Sequence, residues 1–215
     1  MSYTVNGTNQ YVSSAALASG VPMTISAFFY QTASLAVNGG ITSVSNTSNA
    51  HRNALIVRPN GTVRAVTYTA ADGTTLLNAD TTATAALNTW HHACAVFASL
   101  ASRTIFLNGA NAVTNTSTAG AYTTANIVHV GAQGGGNFSV GQFFPGRLAE
   151  VGIWSAALTP DEVLSLSQGV TPDQIRPQAL VFYAPLVRNL VELRNGVTLT
   201  NVNGASVAVH PRVYA

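Results

Sequence analysis

The sequence predicts an all-β fold: an antiparallel two-sheet jelly-roll sandwich with one short helix near residues 159–169. Three observations predict it. Short β-branched or aromatic runs recur at close spacing between Gly, Asn and Pro. Two of the junctions, Asn60-Gly61 after ALIVR and Asn108-Gly109 after TIFL, suit the positive φ angles of tight hairpin turns. The strands follow one another without long helices between them, which favours antiparallel pairing over parallel crossovers.

In chain order, Thr24 to Tyr30, Ala54 to Arg58, Thr62 to Tyr68, Ala93 to Phe97, Thr104 to Leu107, Ile127 to Gly131 and Gly146 to Trp154 read as strands. The stretch GAQGGGNFSVGQ, around Gly134, Gly135 and Gly136, reads as a flexible loop between the Ile127 strand and Phe143. It is no phosphate cradle, because no helix follows it and no Gly-Lys-Ser/Thr ends it. In the last of these strands Leu148, Glu150, Gly152 and Trp154 share one parity and Arg147, Ala149, Val151 and Ile153 the other, so both faces are expected to be covered. Thr159 then suits an N-cap, Pro160 the first helical position, Glu162 a capping box and Gly169 a stop. Thr171, Pro172 and Gln174 repeat that capping logic for a single turn ended by Pro177. Ala179 to Leu186 is a further strand, and Asn195-Gly196 and Asn203-Gly204 are turns ahead of the final Val207 to Ala215. The expected division is a sandwich over 1–177 and a C-terminal strand or arm over 178–215, packed either on that sandwich or on a neighbouring subunit.

Three segments fall in a familiar order: VNGTNQYVSSAALASGVPMTISA from Val5, NTWHHACAVFASLASRTIFLNG from Asn88, and FFPGRLAEVGIWSAALTPDEVLSLSQG from Phe143. Together they resemble a laminin-G-like, concanavalin A-like lectin/glucanase jelly roll, of the kind found in tailed-phage structural proteins. The resemblance implies structural roles for Glu150 and for the pair His91 and His92 after Trp90. The ending over 178–215 is more loosely similar to the endings of such phage proteins.

Charged residues make up 7% of the chain, against roughly 25% in ordinary soluble domains. There is no lysine, and the net charge is +2. Lysines and other charges commonly keep sheet edges from pairing with neighbours, so either other subunits or the protein's own loops are expected to cover these edges. The arginines stand singly and form no basic stripe, which speaks against nucleic acid. The lone cysteine, Cys94, lies in an apolar strand and reads as a buried inert thiol. No window reaches the roughly 20 apolar residues of a membrane span, and the N-terminus has no signal-peptide pattern. Synthesis in a host cytoplasm and residence on a virion is the expected localisation.

The chemistry-bearing residues are sparse. A two-carboxylate glycosidase needs an acid and a nucleophile about 5 Å apart, and no Glu-x-Asp-x-x-Glu run exists. Asp161 and Glu162 serve the helix start. Asp72, Asp80 and Asn78 are the nearest approach to a calcium site, but turn chemistry accounts for them and no metal or cofactor is expected. Adjacent His91 and His92 point to opposite faces and cannot chelate one ion, and no nucleophile elbow or Cys/His dyad exists, so no enzyme is expected. The remaining candidate is the glycine-rich rim, where Gln133 and Asn137 could hydrogen-bond sugar hydroxyls and Phe138 could stack. The expected function is a non-enzymatic virion structural protein, a capsid decoration or other exterior protein of a tailed bacteriophage. It would dock on the major capsid protein or other virion proteins as a homo-oligomer or in lattice contacts. The alternative is a lectin-like carbohydrate-binding module with a glycan as partner.

Overall fold

The structure, a computed structural model, describes residues 2–46, 52–68, 76–120, 125–135 and 138–214. Its larger sheet has eight antiparallel strands, in the order β10 (Ala110–Asn115), β9 (Ser102–Leu107), β8 (Trp90–Ser99), β3 (Met23–Gln31), β14 (Pro145–Trp154), β1 (Ser2–Asn6) and β19 (Ser206–Ala208), with β15 (Leu180–Ala184) also paired to β14. The second sheet runs β18 (Thr200–Val202), β2 (Tyr11–Ser19), β11 (Ala125–Val130), β4 (Gly39–Ser45), β5 (Arg52–Val57), β6 (Thr62–Tyr68) and β7 (Leu76–Thr84). Two small hairpins stand apart, β12 (Gln133–Gly135) with β13 (Phe138–Gly141), and β16 (Val191–Glu192) with β17 (Val197–Thr198).

Alternation explains the layers. Met23, Ile25, Ala27 and Phe29 of β3 and Ala93, Ala95 and Phe97 of β8 point into the space between the sheets. There they meet Ile41, Val44, Leu55, Val57, Val63, Ala65, Val128 and Val130. Each Val, Leu, Ile, Met or Phe side chain among them contributes about 1.5–3 kcal/mol on burial. A second apolar cluster lies on the other side of the larger sheet, where Cys94, Val96, Phe106 and Trp154 meet Leu158, Val163 and Leu166. The last two belong to the helix α1 (Pro160–Ser167), which starts where the sequence predicts. Thr159 caps Glu162 and Glu162 returns the bond, completing the capping box. Gly169, at φ +98°, ends the helical segment. Burial pushes the Cys94 thiol up from its ordinary value and keeps it protonated.

Strand β14 departs from the expected parity. Leu148, Val151 and Ile153 all face the main core while Trp154 faces the helix. The cause is a bulge: Glu150 sits at φ +53°, and the register with β3 shifts between Ala149 and Gly152. The bulge falls where the partner changes, since 145–148 pair with β1 and 151–154 with β15. The second capping signal also forms differently. Pro172–Gln174 is a 3₁₀ turn, and the Thr171 hydroxyl makes no cap bond, because so short a turn is closed by Gln174 N–H donating to the Thr171 carbonyl.

The C-terminal residues fold onto their own sandwich. Strand β15 joins the larger sheet, and Phe182, Ala184, Leu186, Leu199 and Ala205 enter the main core. The turn Asn203-Gly204, with φ +59° and +79°, then carries the chain from β18 on the edge of one sheet to β19 on the edge of the other. Beyond it, Tyr214 bridges to Val170 after the helix. No helix among the described residues is long and apolar enough to cross a membrane.

Candidate functional site

The outer face of the seven-stranded sheet gathers aromatic, amide and guanidinium groups. Register places Tyr11 and Ser13 of β2, His129 of β11, Ser43 and Ser45 of β4, Arg52, Ala54 and Ile56 of β5, Arg64, Val66 and Tyr68 of β6, and Asn78 and Asp80 of β7 on that side, because their strand neighbours fill the core. Over its middle lies the hairpin β12–β13, packed on β4 and β5. The expected flexible loop is therefore a paired ribbon, with Gln133 opposite Gly141 and Gly135 opposite Phe138. Glycine is what lets the ribbon seat this closely. The Gly134 amide donates to Ser43 Oγ at 3.1 Å, and Ser43 Oγ donates to the Ala132 carbonyl at 3.4 Å.

A Cβ on Gly134 would stand 2.4–2.8 Å from three ring atoms of His129. Gly134→Ala is accordingly expected to lift the ribbon and cost about 1–3 kcal/mol, seen as a lower urea midpoint at pH 7. An unchanged midpoint would refute this seating.

Two flanks remain beside the ribbon. On one, the partly exposed rings of Tyr11 and Phe143 lie 6.1 Å apart, with His129 5.7 Å from Tyr11. On the other, the Arg52 guanidinium lies 3.5 Å over the Tyr68 ring. Arg64 there grips Asp80 with two bonds of 2.6 and 2.7 Å, and Arg58 approaches the same carboxylate at 3.4 Å. Asp80 is thus a mid-strand residue paired with arginine, not a loop ligand, and Asp72 lies outside the described residues. Among the described residues no group of three His, Cys, Asp or Glu side chains could hold a metal ion.

Of the three residues expected to touch a ligand, Gln133 is 4% exposed, and its amide points to no solvent and has no hydrogen-bond partner. The rim reading placed it on a loop, whereas pairing in the ribbon turns it inward. Asn137 and the side chain of Phe138 lie outside the described residues. Sequence reasoning passed over Tyr11, Tyr68, Arg52 and, as a ring, Phe143. Tyr11 beside the buried Val12 carried the signal in its alternation, but which face it marks depends on how the sheets stack.

The histidines divide as their positions require. His91 bonds Asn108 and the Ala86 backbone, whereas His92 is buried against Ser26 Oγ at 2.8 Å. Burial lowers His92 to about 3 and His129 to about 4, so both are neutral in the fold. Four carboxylates are fully engaged. Asp80 holds Arg64, and Glu162 holds Thr159 and Arg176. Partial burial opposes its ionisation, yet the bonds from Thr159 and Arg176 keep the Glu162 carboxyl below the usual range. Glu192 accepts from the Tyr183, Arg194 and Asn195 backbone amides, and Glu150 accepts from the Tyr183 hydroxyl. Burial first, and then the Glu150 carboxylate, push the Tyr183 phenol up.

Fold and face together define a concanavalin A-like sandwich with a decorated outer sheet. The chain belongs to the concanavalin A-like lectin/glucanases superfamily, which matches residues 6–164. The sequence matches no curated protein. Among solved structures it is similar to a native heptameric SAP-like pentraxin from Limulus polyphemus, at 15% identity and a TM-score of 0.67, over 97% of this chain and 94% of that one. It is also similar to the CBM40 of the Ruminococcus gnavus IT-sialidase, solved with α2,3-sialyllactose, at 16% identity and a TM-score of 0.59, over 77% of this chain and 95% of that one. A third is domain 4 of AbnA, a GH43 extracellular arabinanase from Geobacillus stearothermophilus, in complex with arabinotriose, at 17% identity and a TM-score of 0.60, over 78% and 76%. At these identities the likeness is one of fold. The pentraxin's coverage takes in nearly all of the C-terminal segment as well.

Proposed function

We propose that this protein is a non-catalytic, lectin-like carbohydrate-binding module that holds a glycan on the outer face of its seven-stranded sheet. The observation that carries the reading is the partly exposed Tyr11–Phe143 pair beside the ribbon. Sugar rings offer apolar C–H faces that stack on such rings, while their hydroxyls need donors and acceptors of fixed direction. Ser13 and Gln10 lie on the same strand or next to it, and Gln10 is itself held by the Asn203 and Gly204 carbonyls. Two of the similar structures contain bound oligosaccharides, which supports glycans as the ligand class.

Docking on a capsid falls to second place. Its remaining support is the scarcity of charge, since the C-terminal segment, expected either to fold back or to link neighbours, pairs with its own strands. The test is a glycan array on the folded chain, followed by titration calorimetry on any hit. Tyr11→Ala and Phe143→Ala are each expected to weaken binding about tenfold while leaving the circular dichroism spectrum unchanged. An array without a hit, or full affinity in both variants, would overturn the reading.

A further inference from the structure

We propose that the exposed surface of residues 187–194 and 207–214 is a docking site for another protein, which it takes by an acidic segment bearing an apolar anchor side chain. The observation is where the chain's free cations lie. Arg188, Arg194 and Arg212 are exposed, and among the described residues none of their side chains makes an ion pair, a hydrogen bond or a ring contact. The other six arginines are engaged. Arg58 and Arg64 hold Asp80, Arg176 holds Glu162, the Arg103 guanidinium is buried among carbonyls, and Arg52 and Arg147 lie over tyrosine rings. With Asp173, which shares a cleft with Arg194, the three free arginines come to +2. That is the formal net charge of the whole chain, because the six arginines and six carboxylates elsewhere cancel.

The same residues carry exposed apolar groups. Val187, Leu193, Val207, Val209 and Tyr214 are five of the nine large apolar side chains exposed among the described residues. Apolar side chains gathered in this way mark a contact surface. The Leu193 amide donates to the Tyr183 carbonyl, His210 Nε2 lies 3.3 Å from the Pro185 carbonyl, and the Thr171 amide donates to the Tyr214 carbonyl. The hairpin β16–β17, the C-terminal tail and the turn at Asp173 therefore adjoin one another. A cleft of about 200 Å³ opens among them, lined by the buried Leu180 and Tyr183 and the exposed Pro177 and Leu193, with Asp173 and Arg194 beside it. The surface is also preformed. Strand β19 pairs with β1, Pro211 is buried, Tyr214 bridges to Val170, and Glu192 fixes the Arg194 amide. Such a surface loses little ordering entropy when a partner binds.

Chemistry selects the partner. Guanidinium forks pair with carboxylates and set orientation and encounter rate, while an apolar side chain seated in a cleft supplies most of the affinity. A second copy would bring the same positive charge against this surface. A bilayer offers no side chain to enter the cleft, and nucleic acid needs denser cations with stacking aromatics. The test is selection of a random-sequence peptide library on the immobilised folded chain, followed by titration calorimetry of an enriched peptide. Enriched sequences are expected to combine Asp or Glu with Leu, Ile, Phe or Trp. Replacing Arg188, Arg194 and Arg212 together by Gln should weaken that peptide about tenfold, and Leu193→Ser by a similar factor, with circular dichroism unchanged. Phe143→Ala, which alters the glycan face, should bind it as wild type does. Phosphatidylserine vesicles and a DNA duplex should not displace it, and sedimentation should show a monomer. Selection that enriches no acidic peptide, full affinity in the triple variant, displacement by vesicles or duplex, or a dimer closed through this surface would overturn the proposal.

Discussion

Glu192→Gln is expected to lower stability by about 3–5 kcal/mol, although it changes one atom. Glu192 is 1% exposed and sits in a ring of donors. Its Oε1 accepts from the Tyr183 and Arg194 amides at 2.8 and 2.6 Å, and its Oε2 accepts from the Asn195 amide and side chain at 2.7 and 3.0 Å. A glutamine keeps one oxygen and turns an NH₂ toward the other two donors, which lose their acceptor; that costs about 1–3 kcal/mol for a buried donor such as the Tyr183 amide and less at the exposed Arg194 and Asn195, beyond the loss of the charge-assisted bonds. The loss concentrates where β15 meets the turn after β16. Urea unfolding of the variant at pH 7 reads it, and a loss below about 1 kcal/mol would mean that the carboxylate is not the staple argued here.

Mild acid should be nearly as damaging. His92 and His129 are held neutral by burial, with folded values of about 3 and about 4 against 6.5 when free. Between those limits the unfolded chain binds protons that the native chain refuses. The stability is therefore complete above about pH 6.5 and is lost as pH falls, at about 1.4 kcal/mol per unit for each histidine. From pH 7 to pH 5 the two together remove about 4 kcal/mol, a large share of the usual 5–15 kcal/mol margin. The figure at pH 5 depends little on how far below 5 the native values lie. Urea midpoints at the two pH values check it, and replacing either histidine by glutamine should roughly halve the slope. Equal stability at pH 5 and 7 would show that both rings reach water, and half the expected loss that one does.

Much of the fold was legible because its strongest signals are local. The runs from Thr62 to Tyr68 and from Gly146 to Trp154 coincide with β6 and nearly with β14, and the capping box at Thr159 and Glu162 forms as written. Strands β2, β4 and β7 were not singled out as strands. YVSSAALAS, GGITSVS and LLNADTTAT carry many Ser, Ala, Gly, Asn and Asp residues, whose own preference for extended structure is weak. Neighbouring strands and burial impose that structure on them. The ribbon β12–β13 was hidden for the same reason, since a glycine run looks flexible until His129 and Ser43 are placed beneath it.

The candidate site was legible only in part. Gln133 was singled out as a hydrogen-bond partner for sugar hydroxyls, and in the ribbon it is buried, while Tyr11 was read as one residue of a motif. The surroundings of neither residue could be seen from spacing. Which face of a strand looks outward depends on which strands flank it and what lies on top, and those neighbours are distant in the chain.

The sequence by itself determined the architecture: two antiparallel sheets, one capped helix and a scarcity of charge, because each of these follows from local composition, periodicity or capping. Only the tertiary structure decided where the chain turns back on itself. A bulge at Glu150 switches partners along β14, the C-terminal residues stitch both sheet edges, and His210 meets Glu150 across 60 residues of chain. The physical reason is that these features arise from contacts between residues far apart in sequence, and no local preference encodes such a contact.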